Sequence, residues 1–206
     1  MGIAERRYRQ KEEIRGLILD TAWKQIREEG VQALSIRKVA DAIEYSVPVI
    51  YAHFESKDAL LKEYVLKGYR LLTERMETAR DGHVQPARQL EAMALAYWDF
   101  AGQNVEYYQL MFGLGIPNCE MAREVEEIAA FGRMIGSVIK AAIVGGKHPD
   151  ASVELKFQSY WSILHGIISI RMYESPCCQA GRKDDTDLGL AILKDTVAGF
   201  IYALVG

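Results

Sequence analysis

Apolar residues recur every three or four positions along almost the whole chain, which is the spacing of amphipathic helices. No Asn-Gly or Asp-Gly turn lies between alternating apolar runs, so the sequence carries no hairpin signal. The pattern predicts an all-α chain of about nine helices, with a compact N-terminal three-helix unit, a connecting helix and a larger helical domain. Beyond the connecting helix, the predicted helices cover about 88–102, 104–112, 120–144, 151–173 and 186–204.

Residues that begin or end helices mark the borders of the first elements. Gly30 is predicted to close the first helix, because glycine readily adopts the backbone conformation that ends one. Ser35 and Ser56 are predicted to be the N-caps of the second and the connecting helix. These borders predict an N-terminal domain at 1–57 and a C-terminal domain at 58–206.

The stretch SVPVIYAHF, residues 46–54, places β-branched residues and a proline between two helical stretches. A proline in the first turn of a helix loses no intrahelical hydrogen bond. Ser46 is therefore expected to cap a short helix through its side chain, with the N–H of Val49 as its partner because Pro48 has none. Ile50 and Phe54, four residues apart, are expected to face the core.

A short helix that follows another helix after a tight turn is typical of a helix-turn-helix, whose second helix enters the DNA major groove. Here SIRKVADAI is the first helix, EYS the turn and VPVIYAHF the second helix. Small apolar side chains at the start of such a helix can touch thymine methyl groups, while tyrosine, histidine and lysine can reach phosphates. The alternative, that Tyr51 and His53 only pack or face solvent, stays open on these residues alone.

The charge of the chain permits DNA binding without requiring it. The 206 residues carry a net charge of −3, but 1–57 has a slight positive excess with a basic cluster at its start. No uninterrupted apolar run reaches the roughly 18 residues of a membrane span. The N-terminus has no apolar signal segment, so a cytoplasmic location without membrane association is predicted.

The cysteines indicate neither a disulfide framework nor a metal site. Cys119, Cys177 and Cys178 are odd in number, lack a secretory signal and show no CxxC or HxxxH spacing. They are interpreted as free thiols, and neither a metal nor a cofactor is predicted.

The string GVQALSIRKVADAIEYSVPVIYAHFESKDALL, residues 30–61, resembles the DNA-binding domain of the tetracycline-repressor (TetR) family of transcriptional regulators. The resemblance covers roughly 12–65 and rests on the SIR start, on VA, on IY and HF, and on SKDALL. The family usually has glycine in the turn, where Glu44 stands here. A turn that requires a positive φ is therefore expected to strain this residue.

The resemblance implies a bacterial homodimer that binds an operator in duplex DNA, with one recognition helix of each subunit in a major groove. It implies phosphate contacts by Ser35, Arg37, Tyr51, His53 and Lys57, and base-side contacts by Val47, Pro48 and Val49. The basic tail before Glu12 is expected at the adjacent minor groove.

The second half also resembles part of the family. NVEYYQLMF and YWSILHGIISI are similar to a subfamily whose C-terminal domain is marked by Trp, His and Gly, here Trp161, His165 and Gly166. Trp161 and His165 lie four residues apart on one helix face. The structural alternative, with a core tryptophan, a hydrogen-bonded core histidine and a glycine at a close helix contact, stays open.

The functional interpretation of the larger domain is an effector pocket, since pockets between helices are mostly apolar with a few polar groups. The candidate residues are Met93, Tyr97, Trp98, Tyr108, Met111, Phe112, Phe131, Met134, Trp161, His165 and Met172. Part of this set is expected to be ordinary core, where methionine and aromatic residues are common. Arg133 and Arg171 are single charges, so the ligand is predicted to be largely apolar.

The last two helices are predicted to form the dimer interface, because they carry more apolar residues than one internal face needs. These residues are Leu155, Tyr160, Ile163, Ile167, Ile170, Leu188, Ile192, Val197, Phe200, Ile201 and Leu204.

The predicted function is a ligand-responsive DNA-binding transcriptional regulator, namely a repressor that a small, largely apolar effector releases from a pseudo-palindromic operator. An enzyme is not predicted, since no nucleophile elbow, P-loop or HExxH motif is present. The alternative is a helical small-molecule-binding protein without sequence-specific DNA binding. Strongly salt-dependent binding to duplex DNA would separate the two.

Overall fold

The computed structural model describes residues 2–113, 125–173 and 185–206, and these contain nine α-helices and no strand. The predicted all-α fold is therefore confirmed for the described part of the chain. The helices are α1 (Ile3–Glu29), α2 (Ile36–Ala42), α3 (Val47–His53), α4 (Lys57–Asp81), α5 (Pro86–Gln103), α6 (Val105–Phe112), α7 (Glu126–Val144), α8 (Val153–Tyr173) and α9 (Asp185–Val205), with one 3-10 turn at Val31–Ala33. Cys119, Cys177 and Cys178 lie outside the described residues.

The chain forms two compact units, which differ from a simple division along the sequence. One unit takes its described residues from Met1–Gly68 and Glu106–Ile116, and the other from Tyr69–Val105 and Pro117–Gly206. The first unit thus combines the helix-turn-helix region with most of α6. The boundary at residue 57 stays a prediction.

The core of the first unit is built on α1, whose Ile18, Ala22 and Ile26 are fully buried. Gln25 is also buried, and its side-chain amide accepts a hydrogen bond from the Ser35 N–H (3.2 Å) and donates one to the Ala33 carbonyl (3.4 Å). This buried amide uses both its oxygen and its nitrogen to fix the chain where it enters α2, because leaving either group unpaired would cost free energy.

Aromatic residues attach α4 and α6 to α1 within this unit. Trp23 stacks on Tyr107 with ring centroids 4.1 Å apart, and the Tyr64 hydroxyl donates to the Leu19 carbonyl at 2.6 Å. Burial raises the pKa of Tyr64, so this hydroxyl remains a donor.

Three of the four predicted helix borders are confirmed. The Ser35 hydroxyl accepts from the Lys38 N–H (3.4 Å), the Ser56 hydroxyl accepts from the Ala59 N–H (3.0 Å), and Gly30 ends α1 with φ +87°. The side-chain cap at Ser46 is wrong. Its backbone carbonyl accepts the Val49 N–H at 2.9 Å, so the hydroxyl is not needed for that donor.

The first helix begins much earlier than its apolar spacing indicated. It starts at Ile3, so the expected basic tail is a continuation of α1. The reason is local: Arg, Glu, Lys and Gln are good helix formers, and Glu5 and Arg9 stand at the favourable four-residue spacing.

Glu44 is the one described non-glycine residue with a positive φ, at +60°. It lies in the turn between α2 and α3, as the comparison with the family's usual glycine predicted. The left-handed conformation costs an ordinary residue roughly 1–2 kcal/mol, which the packing of the two helices must offset.

We expect Glu44→Asn to raise the free energy of unfolding by about 0.5–1 kcal/mol, because asparagine adopts this conformation more readily. Urea denaturation would measure the change. Glu44→Ala is the matched control, since it removes the charge but keeps the strain, and it should give no gain. Equal stabilisation by both variants would assign the effect to charge.

The second unit is a bundle in which α5, α7, α8 and α9 pack on one another. Tyr160 of α8 is completely buried, and its hydroxyl donates to the Leu90 carbonyl of α5 at 2.5 Å. At the end of α7, the Cα of Gly146 lies so close to α9 that an added Cβ would be 2.5 Å from the Leu204 carbonyl oxygen.

The predicted dimer residues separate into two groups. Tyr160, Val197 and Leu204 are buried within the subunit, so they form the internal face and are not available to a partner. Their faces of α8 and α9 point into the subunit's own bundle. Large apolar side chains that remain exposed on these helices are Leu155, Ile170, Leu188, Ile192 and Tyr202.

Among the described residues, α9 is the one helix long and apolar enough to cross a membrane by length and composition, over Leu188–Val205. Lys194 and Asp195 interrupt this stretch, which explains why no continuous apolar run was found in the sequence. Only 17% of its residues are buried, so α9 presents an extensive apolar surface.

Candidate nucleic-acid interface and ligand-binding residues

The short helix α3 separates a buried side from an exposed side. Ile50 is fully buried and Phe54 is 5% exposed, as their four-residue spacing predicted. Pro48 is exposed and Tyr51 is 48% exposed, while Val47 and Val49 are half-buried. These four side chains are the exposed or partly exposed apolar and aromatic groups that we call the ridge of α3, and a helix with such a surface fits a major groove.

The other predicted phosphate contacts differ in how they are engaged. Arg37 is exposed at the start of α2, next to Ser35, whose hydroxyl is occupied as the N-cap. The Lys57 ammonium donates to the Leu34 carbonyl at 2.7 Å, which leaves its remaining N–H groups for a phosphate. This bond was not expected from the sequence, and it holds Lys57 in place.

His53 is half-buried at the end of α3, and its Nδ1 has no hydrogen-bond partner among the described residues. Burial lowers the pKa of His53, and the positive charges of Lys11 and Arg15 lower it further, while Glu12 opposes them. The imidazole is therefore neutral near neutral pH, where one ring nitrogen donates and the other accepts.

Two exposed residues beside the ridge were not selected from the sequence. Tyr45 lies in the turn before α3 and is 40% exposed, a position where a phenol can reach a phosphate. Lys38 on α2 is exposed, but its ammonium forms an ion pair with the Glu29 carboxylate, with Nζ and Oε2 2.6 Å apart. The feature of the sequence that points to Tyr45 is a large aromatic residue in an otherwise polar turn.

The second unit brings several predicted ligand-binding residues together around His165. The Tyr97 hydroxyl lies 3.4 Å from His165 Nδ1, and the Ser169 hydroxyl lies 3.3 Å from Nε2. Trp161 is nearly parallel to the imidazole at 5.8 Å and meets the rings of Tyr97 and Phe131 edge-on at 5.4 and 5.5 Å. Burial lowers the pKa of His165, so this ring is also neutral near neutral pH.

Trp98 forms a separate group on the neighbouring face of α5. The Arg171 guanidinium lies 4.3 Å over its ring, and a Cβ on Gly189 would come 2.8 Å from its edge. Glycine at this position therefore permits α9 to approach the indole. Met93 and Met134 are buried, and Met172 is half-buried.

The remaining predicted ligand-binding residues belong to the first unit. Met111 packs where Gly68 has no side chain, since an added Cβ would lie 2.6 Å from its sulfur. Tyr108 and Phe112 pack on each other at 4.9 Å. Their place in the ligand-binding set stays a prediction.

An open groove of about 480 Å³ lies between α4 and α5 within the second unit. It contains none of the predicted ligand-binding residues, and its lining mixes charged, polar and apolar side chains without an aromatic one: Leu71, Glu74, Arg75, Thr78, Ala96, Asp99 and Gln103. Arg75 is already hydrogen-bonded to Gln103 at 2.9 Å. The aromatic cluster around His165 is thus the better candidate for an apolar ligand.

Both parts of the chain match known sequence families. Residues 18–64 match the bacterial regulatory proteins of the tetR family, and residues 90–188 match the tetracyclin repressor-like C-terminal domain. Neither match identifies the subfamily that Trp161, His165 and Gly166 suggested, which stays a prediction. No curated protein matches the sequence.

Solved structures share the fold over almost the full chain. A protein of unknown function from Rhodococcus sp. RHA1 is 21% identical with a TM-score of 0.74, and covers 93% of this chain and 95% of that one. PfmR, a TetR family transcriptional regulator from Thermus thermophilus, is 21% identical with a TM-score of 0.59 and coverages of 91% and 96%. FadR from Bacillus subtilis, in complex with stearoyl-CoA, is 18% identical with a TM-score of 0.66 and coverages of 89% and 97%. At these identities the likeness establishes the fold alone.

Proposed function

The chain belongs to the TetR family of bacterial regulatory proteins, and from that premise we propose that it represses transcription as a homodimer on a pseudo-palindromic operator. The observation that carries this proposal is the exposed ridge of α3. Pro48 and Tyr51 face outward there, although Ile50 holds the same helix in the core. The exposed parts of this apolar–aromatic ridge contribute nothing to the core, but such a surface on a seven-residue helix suits a major groove.

In the proposed complex, Val47, Pro48 and Val49 meet base edges while Arg37, Tyr51, His53 and Lys57 meet phosphates. Tyr45 is added to the phosphate contacts because of its exposure beside the ridge. The base-side residues are apolar, so they favour thymine methyl groups over hydrogen-bonded base edges. The proposed target is DNA in the cytoplasm.

Selection of bound sequences from random duplex DNA by the purified protein, at moderate salt, tests this function. We expect enrichment of a two-fold pseudo-palindrome whose half-sites lie about one helical turn or more apart. Salt-sensitive binding without an enriched sequence would leave only non-specific DNA binding. No duplex binding at all would favour the alternative, a helical small-molecule-binding protein.

The proposed dimer forms through α8 and α9. Leu188, Ile192 and Tyr202 remain exposed on α9, as do Leu155 and Ile170 on α8. Packing α8 and α9 of two subunits as four helices would remove this apolar surface from water. It would also account for the apolar character of α9 without a membrane.

The proposed effector site is the cluster around His165. Its walls are aromatic, and the hydroxyl–imidazole–hydroxyl series of Tyr97, His165 and Ser169 supplies a few polar groups. This composition suits a largely apolar effector with one hydrogen-bonding group. A protein of the same fold, FadR from Bacillus subtilis, is solved in complex with stearoyl-CoA, whose acyl chain is apolar and whose CoA part is charged. The effector would release DNA to the extent that it favours the state with lower DNA affinity.

Among small molecules that release the selected operator, we expect Trp161→Ala to raise the half-releasing concentration roughly tenfold or more, because it removes the central aromatic wall. Fluorescence anisotropy of the labelled operator measures the release. Ser162→Ala is the matched control: Ser162 directly follows Trp161 in the sequence but is exposed, so this variant should leave the half-releasing concentration unaltered. A folded Trp161→Ala protein with an unaltered response would remove the cluster from the effector site.

A further inference from the structure

The first nine residues of α1, Ile3–Lys11, form a helix that the core does not need; we name this segment the α1 extension. Every one of its residues is exposed. It carries Arg6, Arg7, Arg9 and Lys11 against the single acidic residue Glu5. Such a short polar helix would be marginal in isolation, but it continues a packed helix and therefore needs no nucleation.

The root of the extension is fixed to the end of the recognition helix. Arg15, one turn beyond Lys11, forms an ion pair with Glu63 of α4 at 2.6 Å. Its guanidinium lies 5.1 Å over the ring of Phe54, the C-cap residue directly after α3. Ion pair and ring contact together hold this turn of α1 against α3 and α4.

The root of the extension therefore lies near the C-terminal end of the recognition helix. Lys11, Glu12 and Arg15 all act electrostatically on His53, so this turn of α1 lies near the C-terminal end of α3. Arg7, Lys11 and Arg15 follow one another at four-residue spacing, which places them in one row along α1. The row runs from the recognition helix outward along the extension.

The dimensions of the segment decide how it can meet DNA. An α-helix with its side chains is about 10–12 Å wide, whereas the minor groove of B-DNA is only about 6 Å wide. A helical extension cannot enter that groove as an extended arm could. Nine helical residues span about 13 Å, a length over which a duplex presents roughly eight phosphates on its two strands.

We propose that the α1 extension is a second DNA-contact element, a rigid basic helix that binds the phosphates flanking each half-site without entering the minor groove. The proposal rests on the DNA-binding function proposed above. In this proposal the extension increases the affinity for DNA and lengthens the protected footprint. It does not contribute to sequence specificity, because phosphate contacts carry no sequence information.

The test measures duplex affinity against salt for the full chain and for the triple variant Arg6→Gln, Arg7→Gln and Lys11→Gln. Arg9 is left unchanged because it has an interaction within the protein. We expect the slope of log affinity against log salt to become shallower by about 0.9 for each lost contact, hence by about 2–3 per subunit. At about 0.1 M salt the affinity for every duplex should fall on the order of 100-fold for each bound subunit.

The matched control removes the same charge from the second unit, with Arg133→Gln, Lys140→Gln and Lys147→Gln, all exposed. It should leave the slope unaltered. Gln10→Pro tests the helical form, because proline breaks the ladder without changing any charge. If the extension acts as a rigid helix, the slope of log affinity against log salt should also become shallower in this variant. Its melting temperature should stay near that of the unaltered chain.

The outcomes distinguish this proposal from the function it rests on. Selective duplex binding by the wild type, with an unaltered slope in the triple variant, would overturn the α1 extension as a contact element. A changed sequence preference in the triple variant would overturn its assignment to phosphates. Unaltered binding by Gln10→Pro would mean a flexible arm, not a helix. No duplex binding by the wild type would overturn the DNA-binding function itself.

Discussion

Replacing Gly146 by alanine should lower the free energy of unfolding by about 2–3 kcal/mol, because there is no room for a side chain where α7 ends against α9. An added Cβ would lie 2.5 Å from the Leu204 carbonyl oxygen and 3.1 Å from both the Ala142 oxygen and the Val205 Cα. All three atoms belong to the backbone, so no side-chain rotation can relieve the clash. Either the C-terminal turn of α9 or the turn after α7 must move.

Chemical denaturation of the two adjacent glycine variants would measure this effect. Gly145→Ala is the matched control: its Cβ would lie 3.6 Å from the Ala141 oxygen, an ordinary contact, and its backbone is already in the right-handed helical region. We expect Gly145→Ala to be neutral within about 0.5 kcal/mol. Equal effects of the two substitutions would show that the close approach to α9 does not determine the stability.

Ile50→Ala should lower the free energy of unfolding by about 2–4 kcal/mol and abolish operator binding. Ile50 is completely buried and fixes α3 to the rest of the first unit. A seven-residue helix has almost no stability of its own, so its conformation depends on this packing. When the anchor is lost, the ridge that carries Pro48 and Tyr51 loses its fixed orientation.

Ile50→Val is the graded control, since it removes one methylene and should cost only about 0.5–1.5 kcal/mol. Its operator affinity should stay close to that of the unaltered protein. Circular dichroism against temperature gives the stability, and anisotropy of the labelled operator gives the affinity. Operator binding that survives Ile50→Ala at a temperature where the protein is folded would mean that α3 does not depend on this anchor.

Periodicity and capping predicted the parts of the fold in which a local rule and the packing agree. Ser35 and Ser56 cap their helices, and Ile50 and Phe54 are buried at the spacing that indicated it. The positive φ of Glu44 followed from a single departure from the family's glycine. At the caps and the buried positions the residue type favours the observed conformation, whereas at Glu44 the turn between α2 and α3 imposes a conformation that glutamate disfavours.

Two predictions fail because the local sequence pattern does not determine the structure: the side-chain cap at Ser46 and the start of α1. At Ser46 the backbone carbonyl and the hydroxyl compete for one N–H, and the carbonyl binds it. The start of α1 was missed because a helix exposed on all sides has no apolar period to detect.

The candidate sites depend still more on three-dimensional packing than the fold does. Apolar spacing on α8 and α9 cannot distinguish a face buried in the subunit from an exposed one: Tyr160 is buried and Leu155 is exposed, although both fit the same period. The bond from Lys57 to Leu34 and the grouping of Tyr97, His165 and Ser169 join residues from distant parts of the chain. No pattern in the sequence records such distances.

The positions of the three tryptophans give the protein its own optical reporters. Trp23, stacked on Tyr107, is the tryptophan of the first unit, while Trp98 and Trp161 belong to the second. Intrinsic fluorescence of a Trp98→Phe, Trp161→Phe variant would therefore come from the DNA-binding unit alone. Its emission during denaturation, or after addition of an effector, would record the response of that unit without any attached dye.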